Sequence, residues 1–504
     1  MTYQELRQSV TKDGNFIYSG TMLHESAQRN PTHVALLTPE QTIDYQTLAA
    51  QANRISNYFT KQRFSPRSKI ILLCENVPTY FSVYYGIWQT GAIIVPINTF
   101  LTEHELIHIL NDSEPEAICV SRKMQDKILQ HAGDTPVYIV EELLSLSANQ
   151  SPNFTPITLE PDEVSAILYT SGTTGLPKGV MLSSKNIMTN IMQAAHALQT
   201  SFDQRILALL PLFHSYMQNM CVWSAILVGA SIIVAPRLDR SSILAGLKLK
   251  PTVILGIPGL YGLFCLMKNL DFSSIQYFVS GGDALPDKIR QAFELIYRRK
   301  ISNGYGLTET SPSISAQLED CYTGTNTVGK PMLDIQISLR DENNKEVSKG
   351  GIGQLWVKGD NIMLGYFNAP EATDAIIKDG WLNTGDLARF DSRGNLVICG
   401  REKDLIVNKG IKIYPQEIEN VLMGHAEVTA AGVVGLKVEN EEVPVAFVAV
   451  RNPSEQLAQE LREWCQHRLA PYKVPKIVYC EKELPMTTTG KVDKKVLRKK
   501  LVKN

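Results

Sequence analysis

Between about residues 40 and 300, short apolar strand-like runs alternate with helical patterns, and no other property of the chain restricts its fold as much. The runs include Lys69 to Cys74, Glu116 to Val120, Ser231 to Ala235, Val253 to Leu255 and Tyr277 to Val279. Alternation of this kind predicts an α/β region with largely parallel sheets. At 504 residues the chain exceeds one ordinary core and should divide into at least two domains. The character changes between about 325 and 400. There Ile335 to Leu339, Gln354 to Val357 and Leu396 to Cys399 are strand-like, separated by the turns Asp341-Glu-Asn-Asn344 and Ser392-Arg-Gly-Asn395. A small antiparallel unit is predicted for that stretch. Past Arg401 a compact α+β stretch follows. Glu417 to Leu422 reads as helix, Val428 to Val434 and Val443 to Val450 as strands, and a further helix falls near 455–469.

The formal net charge of −1 gives no overall field to draw the protein to nucleic acid or an anionic membrane. The eight cysteines are scattered without a C-x-x-C pair, which fits reduced, packed thiols and a cytoplasmic location. The first residues carry no apolar stretch of the signal-peptide kind. Residues 206–236 contain no Asp, Glu, Lys or Arg, a length that raises a transmembrane span. Pro211, His214, Gln218, Asn219 and Gly229 interrupt the run, so two short strands flanking a buried helix are expected instead.

Residues 169–180 read Tyr-Thr-Ser-Gly-Thr-Thr-Gly-Leu-Pro-Lys-Gly-Val. Gly172, Gly175 and Gly179 let backbone N–H groups turn inward as an anion nest. Ser171, Thr173 and Thr174 add neutral donors and Lys178 a mobile positive charge. The spacing is not G-x-x-x-x-G-K-[ST]. Because the apolar run Val164 to Tyr169 feeds this loop, a polyphosphate site is expected rather than a solvated turn.

Four further segments carry matching chemistry. Asn303-Gly-Tyr-Gly-Leu-Thr-Glu309 offers an aromatic face, the Thr308 hydroxyl and the hard Glu309 carboxylate that Mg²⁺ requires. Gly380-Trp-Leu-Asn-Thr-Gly-Asp386 places an acid after a tight turn, where one carboxylate can accept from two vicinal ribose hydroxyls. Gly400-Arg-Glu-Lys-Asp404 supplies Arg401 at the domain junction. Pro485-Met-Thr-Thr-Thr-Gly-Lys491 holds a lysine on another Gly/Thr loop. Each also fits a plain structural role: Tyr305 as core, Asp386 as a turn cap, Lys491 as solvated surface.

Together and in this order, these motifs resemble the adenylate-forming superfamily of acyl-CoA synthetases, adenylation domains and luciferases. The resemblance runs from Leu23-His-Glu-Ser-Ala-Gln-Arg-Asn-Pro31 to Gly490-Lys491. It implies a large N-terminal domain over 1–400, with two α/β subdomains and a small β-barrel at about 325–400. A smaller, mobile α+β domain over 401–504 completes the implied architecture. By the resemblance, Thr170, Ser171, Gly172, Thr173, Thr174, Gly175 and Lys178 bind the ATP phosphates. Thr308 lies on the α-phosphate side and Glu309 holds Mg²⁺, with Thr174 beside it through the phosphates. Gly281, Gly282 and Asp283 flank the adenine together with Asn303, Gly304, Tyr305 and Gly306. Asp386 and Arg401 hold the ribose. Lys491 meets the carboxylate and α-phosphate, with His214 also placed among the catalytic residues. Lys403 is the hinge between two orientations of the C-terminal domain, and Gly410 lines the pantetheine path in the second.

The resemblance also implies the reaction. A carboxylate attacking a triphosphate is anion meeting anion, so Mg²⁺, Lys178 and Lys491 would neutralise the developing charge. A closing domain would shield the acyl-adenylate from water, and rotation would then admit a thiol. The family's acyl pocket draws on the segment after Pro211-Leu-Phe-His214, on Gly256 to Tyr261, and on the Gly281-Gly282 turn. Here these stretches carry Phe213, Tyr216, Met217, Met220, Cys221 and Trp223 and no charge before Asp283. That composition leans to a medium- or long-chain aliphatic acid with coenzyme A as acceptor, although core packing accounts for the same residues. Tyr216-Met217 stands where many relatives carry glycine and leaves chain length open. Alternatives are an aryl acid, an acyl-AMP ligase loading an acyl carrier protein, a non-catalytic nucleotide binder and, ranked low, a luciferase-type oxidation. Peripheral association with membranes stays open, and oligomeric state is not legible.

Two other features compete. His104-Glu-Leu-Ile-His108 matches the H-E-x-x-H zinc pattern without a downstream third ligand. The lysine-rich tail from Lys491 to Lys503 could bind anions, but a solvated terminal helix is expected.

Overall fold

The computed structural model describes residues 3–503 except 13–14, 171–175, 268, 317–326, 409–410, 439–440 and 488–490. Two large sheets dominate it. One has seven strands, ordered Gly365–Tyr366, Lys178–Ser183, Val164–Thr170, Ile93–Pro96, Lys69–Leu73, Ala117–Val120 and Val137–Ile139. The last five pair in parallel, whereas Lys178–Ser183 runs antiparallel to both of its neighbours. The other sheet has nine strands. Its centre is the parallel set Val34–Leu37, Ser231–Val234, Arg205–Ala208, Val253–Gly256, Tyr277–Ser280 and Ser302–Gly306.

The apolar runs are continuous because both faces of each strand are covered. Ile70 and Leu72 enter the main core while Ile71 and Leu73 enter a second core on the opposite face. Ile206 and Ala208 likewise face the main core, with Leu207 and Leu209 facing a third. Each such leucine or isoleucine removed from water contributes about 1.5–3 kcal/mol. The helices Tyr45–Lys61 and Pro78–Trp88 pack so closely that a Cβ on Gly86 would lie 2.6 Å from Ile55 Cγ2. The charge-free stretch 206–236 is, as expected, two strands flanking a helical segment over 215–228 that is almost wholly buried. No helix among the described residues is long and apolar enough to cross a membrane.

Over the stretch expected to form a small antiparallel unit, Gln336–Arg340, Gly353–Lys358, Trp381–Phe390, Ile377–Lys378 and Leu396–Arg401 form a five-stranded antiparallel sheet. No pairing among the described residues closes it. Beyond it lies a three-stranded sheet of Val428–Val438, Glu441–Val450 and Ile477–Glu481. One face is covered by Ile418, Leu422, Leu461 and Cys465, the other by Leu497 of the terminal helix Lys494–Lys503. That helix is docked rather than freely solvated. Arg498 meets Asp404 at 2.6 Å, Lys494 meets Glu419 at 2.6 Å and Lys500 meets Glu481 at 2.6 Å. Its lysines are therefore partly spent within the fold.

Candidate active site

The two large sheets and the five-stranded sheet meet at the motif residues: Tyr366 of the first contacts Glu309 beyond a strand of the second, and Tyr305 of the second contacts Asp386 of the third. Thr170 and Lys178 are register partners across a hairpin, so the Gly/Thr loop leaves one strand and enters its antiparallel neighbour. Residues 171–175 of that loop, including Ser171, Gly172, Thr173, Thr174 and Gly175, lie outside the described residues. Lys178 Nζ sits 5.1 Å from the centre of the Tyr366 ring. Tyr366 in turn donates its hydroxyl to Glu309 Oε1 at 2.7 Å.

Glu309 and Thr308 occupy a 3₁₀ turn, Thr308–Thr310, directly after the strand Ser302–Gly306. The turn exists because the chain folds back tightly at Gly306, where a Cβ would lie 1.9 Å from the Pro312 carbonyl oxygen. Leu307 N–H donates to that oxygen at 3.0 Å, and Asn361 Nδ2 donates to Thr310 O at 3.0 Å. Thr308 Oγ1 lies 3.0 Å from Ser215 Oγ. The carboxylate and hydroxyl are thus presented from a braced turn.

Asp386 is not simply the end of a tight turn. It lies inside the long strand Trp381–Phe390, just past a bulge where the register with the neighbouring strand jumps from Trp356↔Asn383 to Gln354↔Leu387. Gly385 takes a φ of +69° there, and Asp386 N–H donates to Thr384 Oγ1 at 3.1 Å. A bulge re-aims the side chain that follows it. Asp386 thereby points across its register partner Arg401, whose Nε lies 2.7 Å from Oδ1, and accepts the Tyr305 hydroxyl on Oδ2 at 2.5 Å. The Asp386 side chain is only 4% exposed. Burial raises its pKa, opposed by the charge of Arg401, the Tyr305 hydroxyl and the charges of Lys491 and Lys403. Burial works against the Arg401 charge, yet Asp386 and Glu309 among others leave its pKa raised. Lys403 lies exposed on the short turn Glu402–Asp404.

His214 caps the helical segment 215–228, accepting the Tyr216 N–H on Nδ1 at 3.2 Å. Burial, with the nearby charge of Lys491, pushes its pKa down to about 4, so the ring is neutral near pH 7 with its proton on Nε2. Lys491 comes from the C-terminal portion, on a hairpin closed by Thr487 N–H to Lys491 O at 2.7 Å. Its charge bears on both His214 and Asp386.

The Gly281-Gly282 turn follows the strand Tyr277–Ser280, with Gly281 N–H donating to Gly256 O at 3.1 Å and Gly282 at φ +78°. Asp283 turns back to accept the Ala284 N–H at 2.9 Å and is exposed. Gly304 sits in the strand Ser302–Gly306, where a Cβ would lie 3.4 Å from Ser315 O. Asn303 donates to Thr327 O at 3.0 Å, while its buried Oδ1 has no partner among the described residues. Gly410 lies outside the described residues.

Two contributors escaped the sequence reading. Tyr366 and Ser215 lie in no Gly-rich motif, and Tyr366 reaches the site only because Gly365–Tyr366 pairs with Val180 and Met181. Part of the expected acyl pocket is core instead. Met217, Met220, Cys221 and Trp223 are at most 2% exposed, and Trp223 Nε1 donates to Tyr84 Oη at 2.9 Å. In the zinc-like pattern, Glu105 caps its own helix in a capping box with Thr102, and His108 Nε2 lies 2.8 Å from Pro177 O. The Thr102 cap and a neighbouring carbonyl therefore account for two of its three polar residues.

These features define an enzyme that binds a nucleotide and activates an acid, and the chain belongs to the AMP-binding enzyme family, whose model matches residues 23–367. The C-terminal domain of AMP-binding enzymes matches residues 417–491. Among curated relatives, the long-chain-fatty-acid–CoA ligase of Yersinia pestis is 30% identical, covering 96% of this chain and 94% of its own. The feruloyl-CoA synthase of an Amycolatopsis species is 29% identical, with 94% and 97% covered. Among solved structures, o-succinylbenzoate coenzyme A synthetase (MenE) from Bacillus subtilis with ATP and magnesium ion superposes with a TM-score of 0.87. That pair is 27% identical, over 96% of this chain and 99% of the other. The chain is an acyl-CoA synthetase-type ligase that joins an acid to CoA at the expense of ATP. ATP and Mg²⁺ fit the residues present: the unpartnered Asn303 oxygen suits an exocyclic amine, and Glu309 is a hard oxygen ligand.

Proposed function

We propose that the chain activates a medium- or long-chain aliphatic carboxylic acid as its acyl-adenylate and passes it to coenzyme A, releasing pyrophosphate and AMP. The reading is carried by one observation: Asp386 and Arg401 pair directly at 2.7 Å with Glu309 and Lys491 charged within their electrostatic reach, and Lys178 is linked to Glu309 through Tyr366. Asp386 would accept from the ribose hydroxyls while Arg401 and Tyr305 hold its carboxylate still. Asn303, with Gly281, Gly282, Gly304 and Gly306, would frame the adenine. Glu309 and Thr174 would hold Mg²⁺, which supplies charge neutralisation at the phosphates. Lys178 would grip the leaving pyrophosphate, and Thr308 the α-phosphate side. Neutral His214 would donate from Nε2 to an oxygen of the substrate carboxylate, so that it adds no charge of its own. Lys491 would bring the second positive charge, supporting attack of the carboxylate on the α-phosphate. Lys403 would serve as the hinge and Gly410 as wall of the thiol path.

The lean to an aliphatic acid rests on the uncharged residues Phe213, Tyr216 and Ile257, of which Tyr216 and Ile257 stand beside the Gly281-Gly282 turn. A second reading, a compact aryl acid, is favoured by Tyr216. Its hydroxyl donates to Val279 O at 3.2 Å, and its ring lies 3.5 Å from where a Gly281 Cβ would be. On this reading the ring would narrow the space beside Gly281, and a long aliphatic tail would require it to swing aside. Turnover with CoA across aliphatic acids of increasing length and a set of cinnamic and benzoic acids separates the two. A kcat/KM rising with chain length supports the first reading; a clear preference for aryl acids overturns it. Replacing CoA by a carrier protein in the same assay tests the acceptor.

A further inference from the structure

Lys288 lies at the start of the helix Asp287–Tyr297, five residues past the Gly281-Gly282-Asp283 turn and in none of the motifs above. Its half-buried Nζ donates to the backbone carbonyls of His425 at 2.8 Å, Val428 at 3.0 Å and Ala426 at 3.2 Å. An ammonium has three hydrogens, so all of its donors are spent on one loop of the C-terminal portion. That loop follows the helix Pro415–Met423, whose last carbonyls carry partial negative charge. It is built to hold still. The His425 ring stands edge-on to Trp464 with centroids 5.0 Å apart, its Nε2 lies 3.2 Å from Glu460, and its Nδ1 accepts the Glu427 N–H at 3.3 Å. Lys412 and Glu342, an ion pair across the same boundary at 2.9 Å, have side chains that are 50% and 72% exposed, so their contact is worth little. In this same arrangement the Lys491 charge reaches His214 and Asp386.

We propose that Lys288 is a positioning residue for acyl-adenylate formation: its three carbonyl contacts fasten the C-terminal domain in the orientation that delivers Lys491, and they must break before the thiol step. This rests on the two-step reading above. The test compares Lys288→Met, which keeps the stem and removes the donors, with Lys288→Arg, which keeps charge and donors. Three charge-assisted bonds are lost in the methionine variant, so acid-dependent pyrophosphate exchange should fall about 10- to 100-fold in kcat. KM for ATP should hold, and thioester formation from supplied acyl-AMP should be retained. Arginine should restore part of the exchange. Hydrogen exchange over 424–428 should quicken in Lys288→Met with no loss of thermal stability. Equal exchange in wild type and Lys288→Met, or equal loss of both half-reactions, overturns the proposal. Absence of exchange in the wild type counts against the two-step reading instead; the 424–428 amides then decide the clamp alone, unchanged protection refuting it.

Discussion

Asp386→Asn separates a nucleotide-binding carboxylate from a merely structural one. The asparagine is nearly isosteric, can still accept from Arg401 Nε, and can turn its amide toward the Tyr305 hydroxyl, which rotates to accept. The Arg401 side chain is 37% exposed, so the lost ion pair is discounted for screening and costs about 1 kcal/mol. Against this, burial raises the Asp386 pKa above the ordinary 3.8, so ionisation is itself a burden on the fold. The carboxyl's contribution to stability is full below the unfolded value and is lost as pH rises through the folded one. At pH 7 the substitution removes that burden. The two effects offset, and the melting temperature of the unliganded protein should stay within about 4 °C of wild type. Binding behaves otherwise. A diol takes two charge-assisted acceptors worth about 1.5–3 kcal/mol each, and the amide supplies one neutral acceptor. A loss of about 2–4 kcal/mol, or about 30- to 1,000-fold in ATP affinity, follows. Thermal-shift titration with ATP reads both quantities in one experiment. A variant that melts far below wild type yet binds ATP unchanged would refute the reasoning and leave Asp386 as an anchor for Arg401.

Lys491→Ala should abolish most acyl-adenylate formation while retaining thioester formation from supplied acyl-AMP; normal pyrophosphate exchange would dismiss its role. Gly306→Ala should destabilise by at least about 1–3 kcal/mol, read by denaturant unfolding, because the Pro312 backbone stands 1.9 Å from the new Cβ. The pKa of His214 falls from 6.5 to about 4 on folding. The stability this brings is present above 6.5 and is lost as pH falls toward 4, so His214→Gln should flatten the decline between those values in unfolding measured across that range. Tyr216→Ala should open space beside Gly281 and raise kcat/KM for longer acids relative to shorter ones; an unchanged ranking removes Tyr216 from the specificity argument.

Much of the architecture was readable because the parallel strands are buried on both faces, so Lys69–Leu73 and Ser231–Val234 stand out as continuous apolar runs. The carboxylates and lysines were readable for a different reason: glycines mark the turns that present them, as at Gly306 before Glu309 and Gly385 before Asp386. What could not be read depends on pairing between distant segments. Tyr366 joins Glu309 to Lys178 only through a two-residue strand beside Val180, and Lys288 meets carbonyl groups whose identity no side chain announces. The methionines and tryptophan after His214 misled because an apolar pocket and an apolar core have the same composition. The bulge at 384–386 was hidden as well, since a Thr-Gly pair reads as a turn until its neighbouring strand is known.

The central claim is carboxylate activation by adenylation, and isotope exchange tests it most directly. With ATP, Mg²⁺ and labelled pyrophosphate, and without CoA, label should enter ATP only when a suitable carboxylic acid is present. Addition of CoA should then yield acyl-CoA and AMP. Label entering ATP without any acid, or acid-dependent release of ADP and phosphate in place of AMP and pyrophosphate, would contradict it.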